Sequence, residues 1–386
     1  VSIYDVTPVS VADYRKRARR RLPAFLFDYV EGGANDEDTL ATNVSDFRRY
    51  RLKQRVLRNV DNVDTSTTLA GRSASMPLAL APVGMAGMFA RRGETQAARA
   101  AKTLGIPFTS STVGICPVEE VAAATGEPFW FQLYMLRDRD LIIKLLERAQ
   151  AAGCDTLAFT VDLPVAGLRL RDYRNGMLGG GLPGKLSQLA QIVSSPLWAI
   201  DVGLKGKPHN FGNLRNVVPD PDDLNAYKAF IEAQFDPTVT WDDIAWLRSI
   251  WKGKILIKGV LEADDAKAAV DTGADGVIVS NHGGRQLDGV ASSISKLAGV
   301  AAAVGDSAEV YLDGGVRSGI DVVKALALGA RGVLIGRPWV YAMAARGETG
   351  VTDLLTLFKQ EIAVAMALMG VNSIDEITPD LIELAD

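Results

Sequence analysis

One of only two histidines in this 386-residue chain lies in the run SNHGGRQLDG, Ser280 to Gly289. Glycines at 283 and 284 give it little to pack against, so its position points to a functional loop rather than a core element. By type, a histidine in such a loop is a general acid or base. Further on, DGGVRSG (Asp313 to Gly319) and IGRP (Ile335 to Pro338) have the character of phosphate-binding turns. Gly314, Gly315 and Gly336 allow close backbone approach, and Arg317 and Arg337 add charge. Glycines that merely close tight turns would look the same.

Other chemistries fit poorly. Two histidines and the cysteines Cys116 and Cys154 do not make a zinc set, so no metal is expected. Two cysteines also make no disulfide framework; both read as small apolar packing residues in a reducing compartment. GGGLPG (Gly179 to Gly184) fits a dinucleotide fingerprint in letters only, because charged RDYRNG precedes it instead of a strand; it reads as a flexible loop. Forty-two basic against 46 acidic side chains leave a net charge of −4, which invites neither nucleic acid nor an anionic surface. The basic run Tyr14 to Pro23 reads as the solvated face of a helix whose apolar face includes Val11 and Leu22. Neither a signal peptide nor an apolar run of membrane-spanning length is seen, and a cytoplasmic location is expected.

The elements that must position these residues follow from the hydrophobic pattern. Residues 1–75 read as mostly helical. Eight short β-type runs follow: Met76–Val83, Ile106–Thr112, Pro128–Met135, Thr156–Asp162, Lys254–Val260, Gly276–Asn281, Glu309–Gly315 and Gly332–Arg337. Alanine-rich helical stretches separate them, which predicts an α/β fold, a (β/α)8 TIM barrel over residues 76–375 within a single domain spanning 1–386. In such barrels the chemistry sits at the C-terminal ends of the strands. The polar residues fall there: Ser111, Gln132, Tyr134, Thr160, Asp162, Lys258, His282, Asp313 and Arg337.

One connection is too long for a βα unit. Residues 163–250 form an insertion in which Leu186, Leu189, Ile192 and Val193 recur at helical spacing, ahead of Leu197, Trp198, Lys205 and Lys207. The segment 176–215 is either a peripheral membrane-touching surface or a helix packed on the barrel or a neighbouring subunit.

Taken together, SNHGGRQLDG, FQLY, FTVDLP, LIKG, LDGGVRSGIDVVKALALGA and LIGRP resemble the FMN-dependent L-2-hydroxy acid oxidase and dehydrogenase family from about Val9 to the C-terminus. LPAFLFDYVEGGANDE, APVGMAGMFARRGE and WAIDVGLKGKPH are most similar to its bacterial respiratory L-lactate dehydrogenase branch. The resemblance implies a barrel that binds FMN, oxidises an L-2-hydroxy acid to the 2-oxo acid and passes electrons to a quinone. It also implies a homo-oligomer, commonly a tetramer; if the 176–215 segment touches lipid, the expected place is peripheral, on the inner face of the plasma membrane.

Carried onto this chain, the resemblance makes His282 the general base, oriented by Asp162, with Arg169 and Arg285 clamping the substrate carboxylate and Tyr29 and Tyr134 adding phenolic hydrogen bonds. Lys258 would lie near the pyrimidine side of the flavin, with Ser111, Gln132 and Thr160 on the ring and the backbone of Pro82, Val83 and Gly84 along it. Ser280 would touch ring or ribityl, while Asp313, Gly315, Arg317, Gly336 and Arg337 would hold ribityl and phosphate. Val113 and Ala166 stand where glycolate oxidases carry a tryptophan and a bulky leucine, so the pocket should admit a side chain of methyl size or larger. Lactate is favoured, with mandelate and other aromatic acids open. Gly84, where oxidases often have alanine, leans toward a dehydrogenase over an oxygen-reducing oxidase. A hydride and a carbanion route would use the same base and clamp. Outside this class stand a phosphate-binding barrel isomerase and a non-catalytic flavin-binding protein.

Overall fold

The computed structural model describes residues 7–178, 181–215 and 233–385. Eight parallel strands occupy Leu78–Leu80, Thr109–Ser111, Trp130–Tyr134, Thr156–Thr160, Lys254–Val260, Gly276–Val279, Glu309–Asp313 and Gly332–Ile335. Each lies within one of the eight apolar runs of the sequence. The first pairs with the eighth, the others pair in sequence order, and a parallel bridge from Leu80 to Phe108 closes the ring as a TIM barrel.

Helices cover the outside because each connection must return the chain to the start of the next parallel strand. Gly93–Thr103, Arg139–Ala151, Ala263–Asp271 and Gly319–Ala327 fall on the alanine- and leucine-rich stretches. Ser318 caps the last of these by accepting from the Asp321 amide, and Asp138 caps Arg139–Ala151 through the Leu141 amide.

The barrel interior is a separate apolar cluster built from alternate strand positions. Trp130 and Tyr311 meet edge to face at 5.8 Å, opposite the small side chains Ala79 and Ala158, with Leu256, Ile278 and Leu334 around them. Leu69, Ala70 and Ala74 close the bottom from the hairpin Thr67–Leu69/Arg72–Ala74. This hairpin corrects the expectation of a helical start to the chain. Helices Val11–Arg21, Ala24–Glu31 and Asp38–Ser45 are present, but helical structure ends at Arg49, and Tyr50–Leu52 pairs antiparallel with Ile382–Leu384. The barrel needs an apolar lid at its N-terminal end, and a hairpin presenting alternate side chains supplies it.

Helix Val11–Arg21 buries Val11, Tyr14 and Ala18, with Leu22 buried at its cap, so its arginines line the outward face as expected. Both cysteines are buried and free.

The insertion is packed against the barrel mouth. Gly181 to Gly184 open the helix Gly181–Val193 and are not a loop; Gly179 and Gly180 lie outside the described residues. Asn213 donates to the Ser111 carbonyl at 3.0 Å and accepts from the Val118 amide at 2.9 Å. Trp198 is buried and donates to the Met88 carbonyl, and Gln191 accepts from the Phe25 amide. At the far end Leu136 bridges Phe235, and Arg139 pairs with Asp236 and Asp243.

Trp130→Ala should remove the largest ring in the barrel interior and cost about 3–5 kcal/mol of folding stability. Urea denaturation of the two proteins checks this; a loss below about 1 kcal/mol would mean the interior is not packed as described.

Candidate active site

Strand register brings the site together. Tyr134 pairs with Thr160, and Thr160 with Lys258, so three neighbouring strands present these side chains at one level of the barrel mouth. Gln132 lies one layer below, fully buried, donating to Thr160 Oγ1 at 3.1 Å and accepting from Ser111 Oγ at 3.1 Å.

His282 follows the sixth strand in a left-handed turn, with φ of +58° at His282, +66° at Gly283 and +74° at Gly284. That conformation is uncommon for a residue with a Cβ and persists only where surrounding contacts enforce it. The contacts are present. Nδ1 lies 2.8 Å from Asp162 Oδ1, and the backbone amide donates to Ser280 Oγ at 3.0 Å. An ionised carboxylate is acceptor-only, so Nδ1 carries the proton and Nε2 is the basic nitrogen. Nε2 points into the cavity, 3.4 Å from the Tyr134 hydroxyl.

Burial opposes ionisation of Asp162, but His282 and Lys258 outweigh it and hold the carboxyl below its ordinary value. Its close approach depends on Gly259, at φ +107° in a bulge of the fifth strand, where a Cβ would fall 2.6 Å from Asp162. Lys258 is itself buried and bonded to Asp313 at 2.9 Å and Ser280 Oγ at 3.0 Å. Burial works against its charge, but Asp313 and Asp162 prevail and raise its pKa. Ser280 therefore acts as a buried bridge between Lys258 and the His282 backbone, and does not line the cavity.

Across the cavity, Arg285 and Arg169 sit over the ring of Tyr29, 4.8 and 5.8 Å from its centroid. Arg285 is anchored through Nη1 to the carbonyls of Tyr29 and Gly32, at the negative end of helix Ala24–Glu31. Burial and Arg169 lower its pKa. Arg169 is anchored through Nε to the buried carboxylate of Asp172. Burial opposes its charge too, but Tyr29 and Asp172 prevail. Two anchored guanidiniums beside one ring make a site for a small carboxylate.

The cavity continues past Pro82, Val83 and Gly84 to Gly314, Gly315, Arg317, Gly336 and Arg337, enclosing about 930 Å³ including its open mouth. Its far end meets the N-terminus of helix Arg337–Met369, capped by Gly336. Arg337, assigned from sequence to ribityl and phosphate, lines this end but gives three hydrogen bonds to the carbonyls of Val30, Gly32 and Gly283. Burial lowers its pKa to about 10.

Above His282 the space widens into a mostly apolar chamber, about 1230 Å³ with its opening to solvent included, lined in part by Val113, Ala166 and Arg169. Phe25, Leu26, Met85, Met88, Phe211 and Phe235 also line it, and none was singled out from sequence. Apolar residues in helices and loops carry no signal that separates a chamber wall from core; only the length of the insertion hinted at Phe211 and Phe235.

A carboxyl with a depressed pKa stabilises the fold above its ordinary value and loses that contribution as pH falls through its lower native value. The stability gap between the native chain and Asp162→Asn should therefore be widest near neutrality and close below about pH 3.8. Thermal denaturation across this range checks it; a gap independent of pH would contradict an ionised Asp162.

Residues 18–384 match the family model described as FMN-dependent dehydrogenase. The chain is 55% identical over 373 residues to an L-lactate dehydrogenase of Caulobacter vibrioides (strain NA1000 / CB15N), covering 97% of each chain. It is 53% identical over 373 residues to an L-lactate dehydrogenase of Alcaligenes faecalis, covering 97% of this chain and 98% of that one. Among solved structures it is similar to a monotopic membrane protein, (S)-mandelate dehydrogenase, with TM-score 0.92 and 37% identity over 98% of this chain and all of that one. It is also similar to a mandelate oxidase, with TM-score 0.83 and 38% identity over 98% and 99% of the two chains. With a match across nearly its whole length, and a histidine facing two arginines at the mouth of a TIM barrel, the chain belongs to the FMN-dependent dehydrogenase family and is an FMN-dependent 2-hydroxy acid oxidoreductase.

Proposed function

We propose that the protein oxidises L-lactate to pyruvate and passes the electrons to a quinone. The observation that carries this reading is the placement of His282 Nε2 in the same chamber as Arg169, Arg285, Tyr29 and Tyr134. The relatives named L-lactate dehydrogenase, at 53–55% identity, support lactate.

The lower cavity fits FMN. Asp313 Oδ1 is buried without a partner among the described residues, close to Lys258, and suits a ribityl hydroxyl. Gly314 and Gly315, both at positive φ, with Arg317 and the helix start at Gly336 suit a phosphate. Gly315 admits no side chain, since a Cβ there would lie 1.8 Å from the Asn43 carbonyl oxygen. Lys258 would stand beside the ring, and Thr160, with Gln132 and Ser111 behind it, would complete the polar edge. Arg337 would serve the phosphate end mainly by fixing the backbone around it. Bound FMN would supply the acceptor for the hydrogen and the two electrons that leave the substrate's C2.

The protein's own part is binding and proton transfer. Arg169 and Arg285 bind the carboxylate, and their anchors keep the guanidinium planes in place before substrate arrives. Tyr134, whose phenol is pushed up by burial and by Asp162, stays neutral and donates to the substrate. The hydroxyl proton goes to His282 Nε2, and the imidazolium that forms is stabilised by Asp162. Val113 and Ala166 bound the side-chain pocket with little bulk.

A second substrate reading has its own observation. The apolar chamber exceeds what a methyl group needs, and the solved structures similar to this chain include enzymes named for mandelate, so an aromatic L-2-hydroxy acid is the alternative.

For the acceptor, the exposed face of the insertion supports a lipid-borne quinone. Leu182, Leu186, Leu189 and Val193 are exposed on helix Gly181–Val193, followed by exposed Leu197, Ile200 and Leu204. Gln188 of the same helix lines the chamber, so one element faces both the chamber and the outside. No helix among the described residues is long and apolar enough to cross a membrane, so the contact proposed is peripheral.

Anaerobic addition of L-lactate should bleach the flavin spectrum of the holoprotein, with L-mandelate and D-lactate as parallels; bleaching by mandelate alone would replace the substrate. His282→Gln should retain FMN and slow reduction by about 10²–10⁴-fold, and normal reduction would remove it as base. Arg285→Lys should weaken substrate binding about tenfold or more through loss of the planar fork. Changing Leu186, Leu189 and Val193 together to Ser should abolish sedimentation with lipid vesicles and leave reduction by lactate unchanged. Undiminished sedimentation would rule out this face.

A further inference from the structure

The loop that carries His282 and Arg285 is held by a reciprocal pair of side-chain amides. Asn43, on helix Asp38–Ser45, donates through Nδ2 to Asn281 Oδ1 at 2.8 Å, and Asn281 Nδ2 donates back to Asn43 Oδ1 at 2.9 Å. Both side chains are buried and neither lines the cavity. Each amide has further work. Asn281 Oδ1 accepts from the Gly284 amide at 3.0 Å, and Asn281 Nδ2 donates to the Ala291 carbonyl at 3.1 Å. Asn43 Oδ1 also accepts from the Ser293 amide at 3.2 Å.

These bonds close both ends of the loop around the left-handed residues 282–284. Asp288 adds a third tie, because its carboxylate accepts from the amides of Asp36 and Thr39 at the start of the same helix. The backbone of Asn43 also fills the space beside Gly315, so this residue abuts the phosphate end as well. Gly283 and Gly284 accept positive φ freely, but His282 carries a Cβ and keeps that conformation only where surrounding contacts enforce it.

We propose that Asn43 and Asn281 are positioning residues for the oxidation: their amide pair holds the loop in the turn that aims His282 Nε2 and Arg285 into the chamber. The proposal rests on the hydroxy acid reading of that site. The pair acts through the Gly284 amide and the Ala291 carbonyl and does not touch substrate.

The test uses the FMN-loaded full chain with Asn43→Leu, Asn281→Leu and the double variant. A single change strands part of a buried side-chain amide as well as backbone groups, whereas the double change strands only the backbone groups of Gly284, Ala291 and Ser293, so the double variant should recover part of the melting temperature lost by the less stable single variant. Its flavin reduction by L-lactate should nevertheless stay at least tenfold slower than native, and amide exchange across 281–291 at least tenfold faster, with the barrel strands unchanged. Reduction that recovers in step with melting temperature, or native exchange across 281–291, would overturn the proposal. Were the native protein not reduced by any hydroxy acid, the function reading would fall, and the exchange measurement would still decide whether the pair holds the turn.

Discussion

The hydrogen bond between Asp162 and His282 Nδ1 is the constraint on which the rest of the site depends. It determines which imidazole nitrogen is basic, and it requires a buried carboxylate to remain ionised next to the barrel. The surrounding structure meets that requirement with charge and space. Lys258 lies close enough to favour the ionised carboxylate, Asp313 keeps Lys258 charged in turn, and Gly259 in its bulge leaves room that a Cβ would take. Closing eight parallel strands into a ring places these residues, from the fourth, fifth and seventh strands, at one end of the barrel.

The opposite wall solves a related problem with arginine. Arg285 and Arg337 are buried cations whose pKa values are lowered, and both are held by carbonyls of residues 29–32 at the end of helix Ala24–Glu31. Those carbonyls carry the negative end of the helix dipole and have no partner within the helix. A short N-terminal helix thereby supplies Tyr29 and anchors both buried arginines.

Much of this was legible in the sequence because barrels are built from repeated units with a strong pattern. The eight apolar runs matched the eight strands, since a strand buried on both faces is a continuous apolar run. The polar residues at their ends fell at the mouth for the same reason. The hairpin Thr67–Ala74 was missed because its strands are three residues each, too short to show period two. The chamber walls Phe25, Met88, Phe211 and Phe235 were missed because apolar residues outside a periodic pattern look the same in core and cavity. Asn43 gave no signal at all, since its role depends on a partner 238 positions away. For Ser280 and Arg337 the neighbourhood was legible, but their hydrogen-bond partners emerged only from the folded chain.

With only two histidines in the chain, the protonation of His282 is open to direct observation. Nitrogen-15 NMR of the histidine-labelled, FMN-loaded protein, with a His209→Gln variant to assign the signals, reads which ring nitrogen of His282 bears the proton. In the neutral imidazole the proton should sit on Nδ1 and leave Nε2 bare. A proton on Nε2 would contradict it, because the nitrogen facing the substrate would then be unable to act as the base.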